Sequence, residues 1–180
     1  MSRLHTVPVN EASGKTDELY RSIKQVMGKV PNAYLTIGSN APALLAQTLQ
    51  LNAVLAKSSL NAREREAINL AVSEESGCDY CLAAHTPLAV KAGFSEAQTR
   101  ELRQGFLVDD VRIDALVKFV QLLVSTRGTV SAQHVSAFKV AGFSDQQVVE
   151  TVGVVTAILF TNMINRINDT EIDFPSVQPL

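Results

Sequence analysis

Apolar residues along the chain recur at three- and four-residue intervals and nowhere alternate with polar ones over a sustained run, the period of amphipathic helices rather than strands. Thr16 is placed to cap a helix carrying Leu19, Tyr20, Ile23, Val26 and Met27, and a short helical turn after Val30-Pro31 holds Tyr34 and Leu35. Asn40 is expected to cap the next helix, with Pro42 in its first turn, where a missing N–H costs nothing. That helix carries Leu44, Leu45, Leu49, Leu51, Val54 and Leu55. Asn61 opens another, with Glu64 in the capping-box position, running through Glu66, Ile68, Leu70 and Val72 to Gly77. Arg63, Glu64 and Arg65 read as solvent-facing, whereas Glu66 is placed to turn inward. Cys78 to Ala92 forms a separate helix ended by Gly93, and Pro87 within it predicts a kink or a break, since an interior proline costs about 3 kcal/mol.

An internal echo organises the rest. Ala92-Gly93-Phe94-Ser95-Glu96 reappears forty-nine residues later as Ala141-Gly142-Phe143-Ser144-Asp145. Both copies fit a left-handed glycine ending one helix and a serine capping the next, with Gln98 and Gln147 completing two capping boxes. Asp110 to Arg127 carries the apolar stripe Val111, Leu116, Phe119, Val120 and Leu123; Ser131 to Ala141 and Ser144 to Ile167 complete the helices. Val148 to Ile164 is apolar nearly all round and belongs in a core or a subunit interface. From Asn168 the chain reads as an extended tail. The expected architecture is an all-α, single-domain helical bundle over residues 1–180, with a repeated helix–turn–helix unit and a motif-bearing core at about 40–127.

Composition narrows the partners. Sixteen Lys and Arg against eighteen Asp and Glu give a net charge of −2, and the basic residues are scattered, which argues against a nucleic-acid partner. The longest uncharged part of the apolar segment, Thr151 to Asn165, is short of the roughly 20 residues that span a bilayer, so no membrane is expected. The N-terminus lacks the apolar core of a secretory signal, and a reducing, cytoplasmic setting is the expectation.

Chemistry concentrates in one place. Both cysteines lie in Cys78-Asp79-Tyr80-Cys81, and His85 follows one helical turn later. Cys78 and Cys81 are i,i+3 neighbours and Cys81 and His85 i,i+4 neighbours, so all three share a helix face. Unpaired N–H groups at the helix start favour thiolate, most strongly at Cys78, while the adjacent imidazole favours Cys81. The spacing also permits a disulfide, and an inward Glu66 beside His85 would orient the imidazole and raise its basicity. His5 and His134 read as surface residues, and Tyr34, Phe119, Phe138 and Phe160 as core.

The run from Arg65-Glu66 through Cys78-Asp79-Tyr80-Cys81 to His85 resembles the Glu…Cys-x-x-Cys-x-x-x-His signature of the AhpD-like alkylhydroperoxidases in the carboxymuconolactone decarboxylase superfamily. The ending DTEIDFP is similar to the longer, peroxidase-related branch. The resemblance implies a cofactor-free thiol peroxidase that reduces hydroperoxides through a Cys78/Cys81 disulfide cycle. Cys81 would be the peroxidatic thiolate, Cys78 the resolving thiol, and His85 and Glu66 the proton relay, with no metal. It further implies a homo-oligomer, trimer or hexamer, re-reduced by a lipoyl-type or thioredoxin-like dithiol. Tyr80 departs from family members that carry a histidine between the cysteines, and a tyrosine is a poor base at neutral pH. Two other readings stand beside this one: a dithiol–disulfide electron carrier without peroxide activity, and a non-enzymatic helical module whose cysteines are structural or bind zinc, for which Cys78, Cys81, His85 and Glu66 are the candidate ligands.

Overall fold

Side-chain caps set most of the helix starts in the computed structural model, which describes residues 2–180. After a single 3-10 turn at Val9–Glu11 come nine α-helices among the described residues. They are α1 (Gly14–Met27), α2 (Asn32–Asn40), α3 (Pro42–Leu55), α4 (Ala62–Glu75), α5 (Asp79–Lys91), α6 (Glu96–Gln104), α7 (Val111–Ser125), α8 (Ala132–Val140) and α9 (Asp145–Asn168). No strand occurs among the described residues, and the residues after α9 form the expected extended tail.

The three capping boxes are present as read: Asn61 with Glu64, Ser95 with Gln98, and Ser144 with Gln147. Two expected caps are not. α1 starts at Gly14, two residues before Thr16, whose hydroxyl instead donates to the Gly38 carbonyl across the helix pair. Asn40 is the last residue of α2 rather than the cap of α3; its amide donates to the carbonyls of Thr36 and His5, tying the N-terminal segment to α2. Pro42 does sit in the first turn of α3. Pro87 breaks nothing, since α5 runs through it without interruption. The neighbouring turns keep their own bonds, and the ring faces a cavity described below.

α4 is the central rod. Ala67, Ile68, Leu70, Ala71 and Val72 are fully buried, so helices cover it on several sides, with α5, α6, α7 and α9 packed against it. A smaller apolar cluster of Tyr20, Ile23, Val30, Ile37 and Leu45 joins α1, α2 and α3. Several apolar positions expected on inner stripes instead face outward: Val26, Met27, Leu44, Leu51, Val54 and Val111. Glu64 corrects the opposite expectation. It is 3% exposed, because the Arg112 Nε–H donates to its carboxylate at 2.9 Å while its other oxygen accepts from the Asn61 N–H.

The repeat is structural as well as sequential. Gly93 and Gly142 both take left-handed φ, near 100° and 97°, and turn the chain so that Phe94 and Phe143 enter the core. Arg63 lies 3.9 Å over the Phe94 ring and Arg112 3.8 Å over Phe143, and each guanidinium donates to the carbonyl of the preceding glycine. The helix caps Asn61 and Asp110 and these arginines keep the same forty-nine-residue offset, so the repeat reaches back to the starts of α4 and α7. The second unit has Arg127 and Val130 where the first has its cysteines.

α9 passes its inner face, with Thr151, Val154, Val155 and Ile158, along the core, and leaves Val149, Val152, Met163 and Ile167 outside. By length and composition α9 alone among the described residues matches a bilayer span, with mean hydropathy 1.5. It contains Glu150 and packs one face against α3, α4, α5 and α7.

Candidate functional site

The turn between α4 and α5 positions both thiols. Gly77 takes φ +60°, and Cys78 follows as the N-cap of α5, its sulfur accepting the Cys81 N–H at 3.4 Å, as a serine oxygen would in that position. One turn of helix then places Cys81 beside it, and the Cys78 S–H donates to the Cys81 sulfur at 2.7 Å. Both are free thiols and both are buried, Cys78 at 1% and Cys81 at 3% exposure.

Their environments are opposed. The Cys78 thiol is pushed far up, first because its proton is held by the Cys81 sulfur and then by burial. The Cys81 thiol is pulled down, first by the S–H bond from Cys78, against burial, with further help from Asn165, Asn162 and Thr161 on α9. The helix start therefore does not make Cys78 the thiolate, as the macrodipole alone would suggest. Hydrogen bonding outweighs it and favours the anion on Cys81 over Cys78.

Glu66 turns inward from α4, and its Oε2 lies 2.8 Å from His85 Nδ1 on α5. The pair is partly buried, with side-chain exposures of 16% and 22%. Among the described residues His85 Nε2 has no hydrogen-bond partner, and no hydrogen bond joins His85 to Cys81. The two share instead the wall of an apolar cavity of about 340 Å³, closed by Pro31, Tyr34, Leu88 and Phe174. A second, more polar cavity of about 290 Å³ lies on the other side of His85 and contains Glu66, Arg65 and Asn69. Tyr34, His85 and Thr161 line both, so the imidazole stands between a polar vestibule and the apolar thiol chamber.

Tyr80, between the cysteines, has a structural task. Its hydroxyl accepts the Ala33 N–H at 3.1 Å and donates to Asp173 at 2.7 Å, and its ring meets Phe174 edge-on. Lys29 pairs with Asp173 at 2.8 Å and lies 4.0 Å over the Phe174 ring. Burial pushes the Tyr80 phenol well above its ordinary value, so it supplies no base. The tail residues Phe174 and Pro175 thereby roof the chamber.

The zinc reading fares poorly on this geometry. Among the described residues no three His, Cys, Asp or Glu side chains converge to hold a metal ion. Sequence reasoning missed the α9 contribution entirely. The Asn165 amide donates to the Cys81 sulfur at 3.3 Å and the Asn162 amide to Ser73 Oγ at 3.2 Å. Three asparagines at three-residue spacing inside an apolar helix, at 162, 165 and 168, were the available signal. His5 and His134 are exposed and stand apart from the site, and Phe119, Phe138 and Phe143 stack within the core.

The fold is the AhpD-like helical fold, and residues 42–105 match the carboxymuconolactone decarboxylase family model. The matched segment runs from α3 to the end of α6 and contains Glu66, both cysteines and His85. Among curated proteins none matches the sequence. Among solved structures, the chain is similar to an uncharacterized peroxidase-related protein with an alkylhydroperoxidase AhpD core from Ralstonia eutropha JMP134. There the TM-score is 0.85 at 18% identity, covering 96% of this chain and 92% of that one. A peroxidase-related protein from Silicibacter sp. TM1040 gives 0.75 at 18%, covering 95% and 94%. The debrominase Bmp8 gives 0.79 at 19%, covering 96% and 93%. At these identities the likeness establishes the fold.

Proposed function

We propose that the protein is a thiol peroxidase in which Cys81 attacks a hydroperoxide and Cys78 resolves the product. The observation that carries this reading is the asymmetric thiol pair on an apolar chamber. A proton held on Cys78 leaves Cys81 nucleophilic, and Cys78 is already in bonding range of it.

The Cys81 thiolate attacks the distal peroxide oxygen; an S–O bond forms, the O–O bond breaks, and the electron pair leaves on the alkoxide. His85, oriented by Glu66, donates the proton that turns the alkoxide into an alcohol. Cys78, once deprotonated, attacks the sulfenic sulfur; a disulfide forms and water departs. The balance is one hydroperoxide and two thiols to one alcohol, one water and one disulfide. An external dithiol returns the pair to the reduced state by exchange. With no hydrogen bond between His85 and Cys81 among the described residues, the imidazole is assigned to the leaving oxygen rather than to the thiol.

The same two-electron balance would remove bromine from a ring. A neighbour of this fold is a debrominase, solved in complex with 2,3,4-tribromopyrrole, so a bromopyrrole is the natural counter-substrate. Reduced protein given one equivalent of cumene hydroperoxide should yield one equivalent of cumyl alcohol and of Cys78–Cys81 disulfide, and Cys81→Ser should yield neither. Bromide release from a bromopyrrole without peroxide consumption would overturn the peroxidase reading in favour of dehalogenation. Reaction with a small disulfide alone would leave a dithiol carrier.

A further inference from the structure

Three asparagines project from α9 into the interior, and their bonding differs. Asn168 is fully used: its Oδ1 accepts the N–H groups of Arg3 and Leu4, and its Nδ2 donates to Thr36 and Thr170. Asn162 donates to Ser73, and its Oδ1 has no partner. Asn165, 4% exposed, donates to the Cys81 sulfur, and its Oδ1 also has no partner among the described residues. Of the two unpaired acceptors, only Asn165 belongs to a residue lining the thiol chamber. A buried carbonyl oxygen without a donor is costly and uncommon in native proteins, and one at a site wall is positioned for a ligand's donor.

We infer that Asn165 is a catalytic residue that holds the Cys81 sulfur through its amide N–H and offers its carbonyl oxygen to the O–H of the entering hydroperoxide. The first half stands on the geometry alone; the second rests on the peroxidase reading. The only hydrogen of a hydroperoxide's peroxy group is on its distal oxygen, the atom Cys81 must attack. One carboxamide bonded to both partners brings sulfur and distal oxygen together, while the apolar walls accept the organic part. A neutral amide also supports the thiolate without a counter-charge. In the attack itself the carboxamide exchanges no proton: it releases the sulfur as charge moves onto the alkoxide, where His85 supplies the proton.

The other titratable groups around Cys81 are accounted for. On its own helix they are Cys78, Tyr80 and His85; from α4 comes Glu66, bonded to His85; from α2 comes Tyr34; and from the tail comes Asp173, bonded to Tyr80. From α9 the level of Cys81 receives only Thr161, Asn162 and Asn165, with Arg166 exposed.

The test uses Cys78→Ser as parent, which leaves one thiol and keeps a hydroxyl donor beside it. The pH dependence of iodoacetamide alkylation gives the Cys81 ionisation with no peroxide present. Asn165→Ala should move that ionisation up by about one pH unit, about a tenfold loss of thiolate at neutral pH. Asn165→Asp, of the same shape, should move it further, because a carboxylate opposes a neighbouring thiolate. Peroxide rates corrected for thiolate fraction should fall about tenfold in Asn165→Ala and less steeply in Asn165→Asp, which keeps an acceptor oxygen but loses the N–H. If either variant fails to fold, the other still decides the ionisation shift. Unchanged ionisation in a folded variant overturns the sulfur-holding role, and an unchanged corrected rate in Asn165→Ala overturns the acceptor role. If the parent ignores peroxide while alkylation still shifts, the sulfur-holding role stands and the peroxidase reading falls.

Discussion

Replacing Cys78 by alanine or by serine separates the two things its sulfur does. Its S–H bond to Cys81 is the largest influence holding the Cys81 thiol below its ordinary value, and its sulfur also caps α5. A hydrogen bond to a charged group contributes about 1.5–3 kcal/mol, and one pKa unit corresponds to about 1.4 kcal/mol. Cys78→Ala should therefore raise the Cys81 ionisation by about one to two units, whereas Cys78→Ser, with an O–H in the same place, should move it far less. The lowered thiol is ionised over a wider pH range, so the alanine variant loses thiolate at neutral pH and recovers it as pH rises. Nucleophilicity climbs with basicity at a slope of about 0.4–0.5, which returns part of the loss. The net fall in alkylation rate at neutral pH is then roughly threefold to tenfold, and above the alanine variant's own ionisation its rate should exceed that of the serine variant. Stopped-flow alkylation across the pH range shows whether the two curves cross. Coincident curves for alanine and serine would refute the claim that Cys78 stabilises the Cys81 anion.

Three further outcomes follow from the same geometry. Glu66→Gln should slow peroxide turnover roughly tenfold to a hundredfold by removing a charge-assisted bond to His85, with the melting temperature nearly unchanged because the pair is partly wet; a normal rate removes the relay. Tyr80→Phe orphans the Ala33 N–H and leaves Asp173 held only by Lys29, so it should cost about 2 kcal/mol and speed amide exchange in residues 171–176; unaltered exchange there would show that the tail is held without this bond. Glu64→Ala should cost about 3 kcal/mol in denaturant unfolding, the low end for a broken buried pair because Arg112 retains contact with water. Glu64→Gln should cost clearly less, since the amide oxygen can still accept the Asn61 N–H.

The contrast between what could be read locally and what could not is physical. Capping boxes at Asn61, Ser95 and Ser144 are closed within four residues, so the sequence alone specifies them. Cys78, Cys81 and His85 share a face because helix geometry is fixed once the helix exists. Thr16 and Asn40 looked equally like caps, but each found a bond across a helix pair or to the N-terminal segment, which no local pattern encodes. Glu64 looked solvated between two arginines; its true partner, Arg112, lies three helices away. Some contacts of the site are of this long-range kind. Asn165 meets Cys81 across 84 positions and Tyr80 meets Asp173 across 93. The lowering of the Cys81 thiol, ambiguous between dipole and imidazole in the sequence, comes first from the local S–H bond of Cys78 and then from Asn165, Asn162 and Thr161 on α9.

The peroxidatic cycle itself is tested most directly by intact-protein mass spectrometry after a stoichiometric pulse of cumene hydroperoxide on reduced protein, quenched at short times. The account predicts the rapid loss of two hydrogens in the native chain, one added oxygen in Cys78→Ser, and no change in Cys81→Ser. Oxygen added to Cys81→Ser at the native rate would reverse the assigned roles, and an unchanged mass in the native chain would contradict the peroxidase.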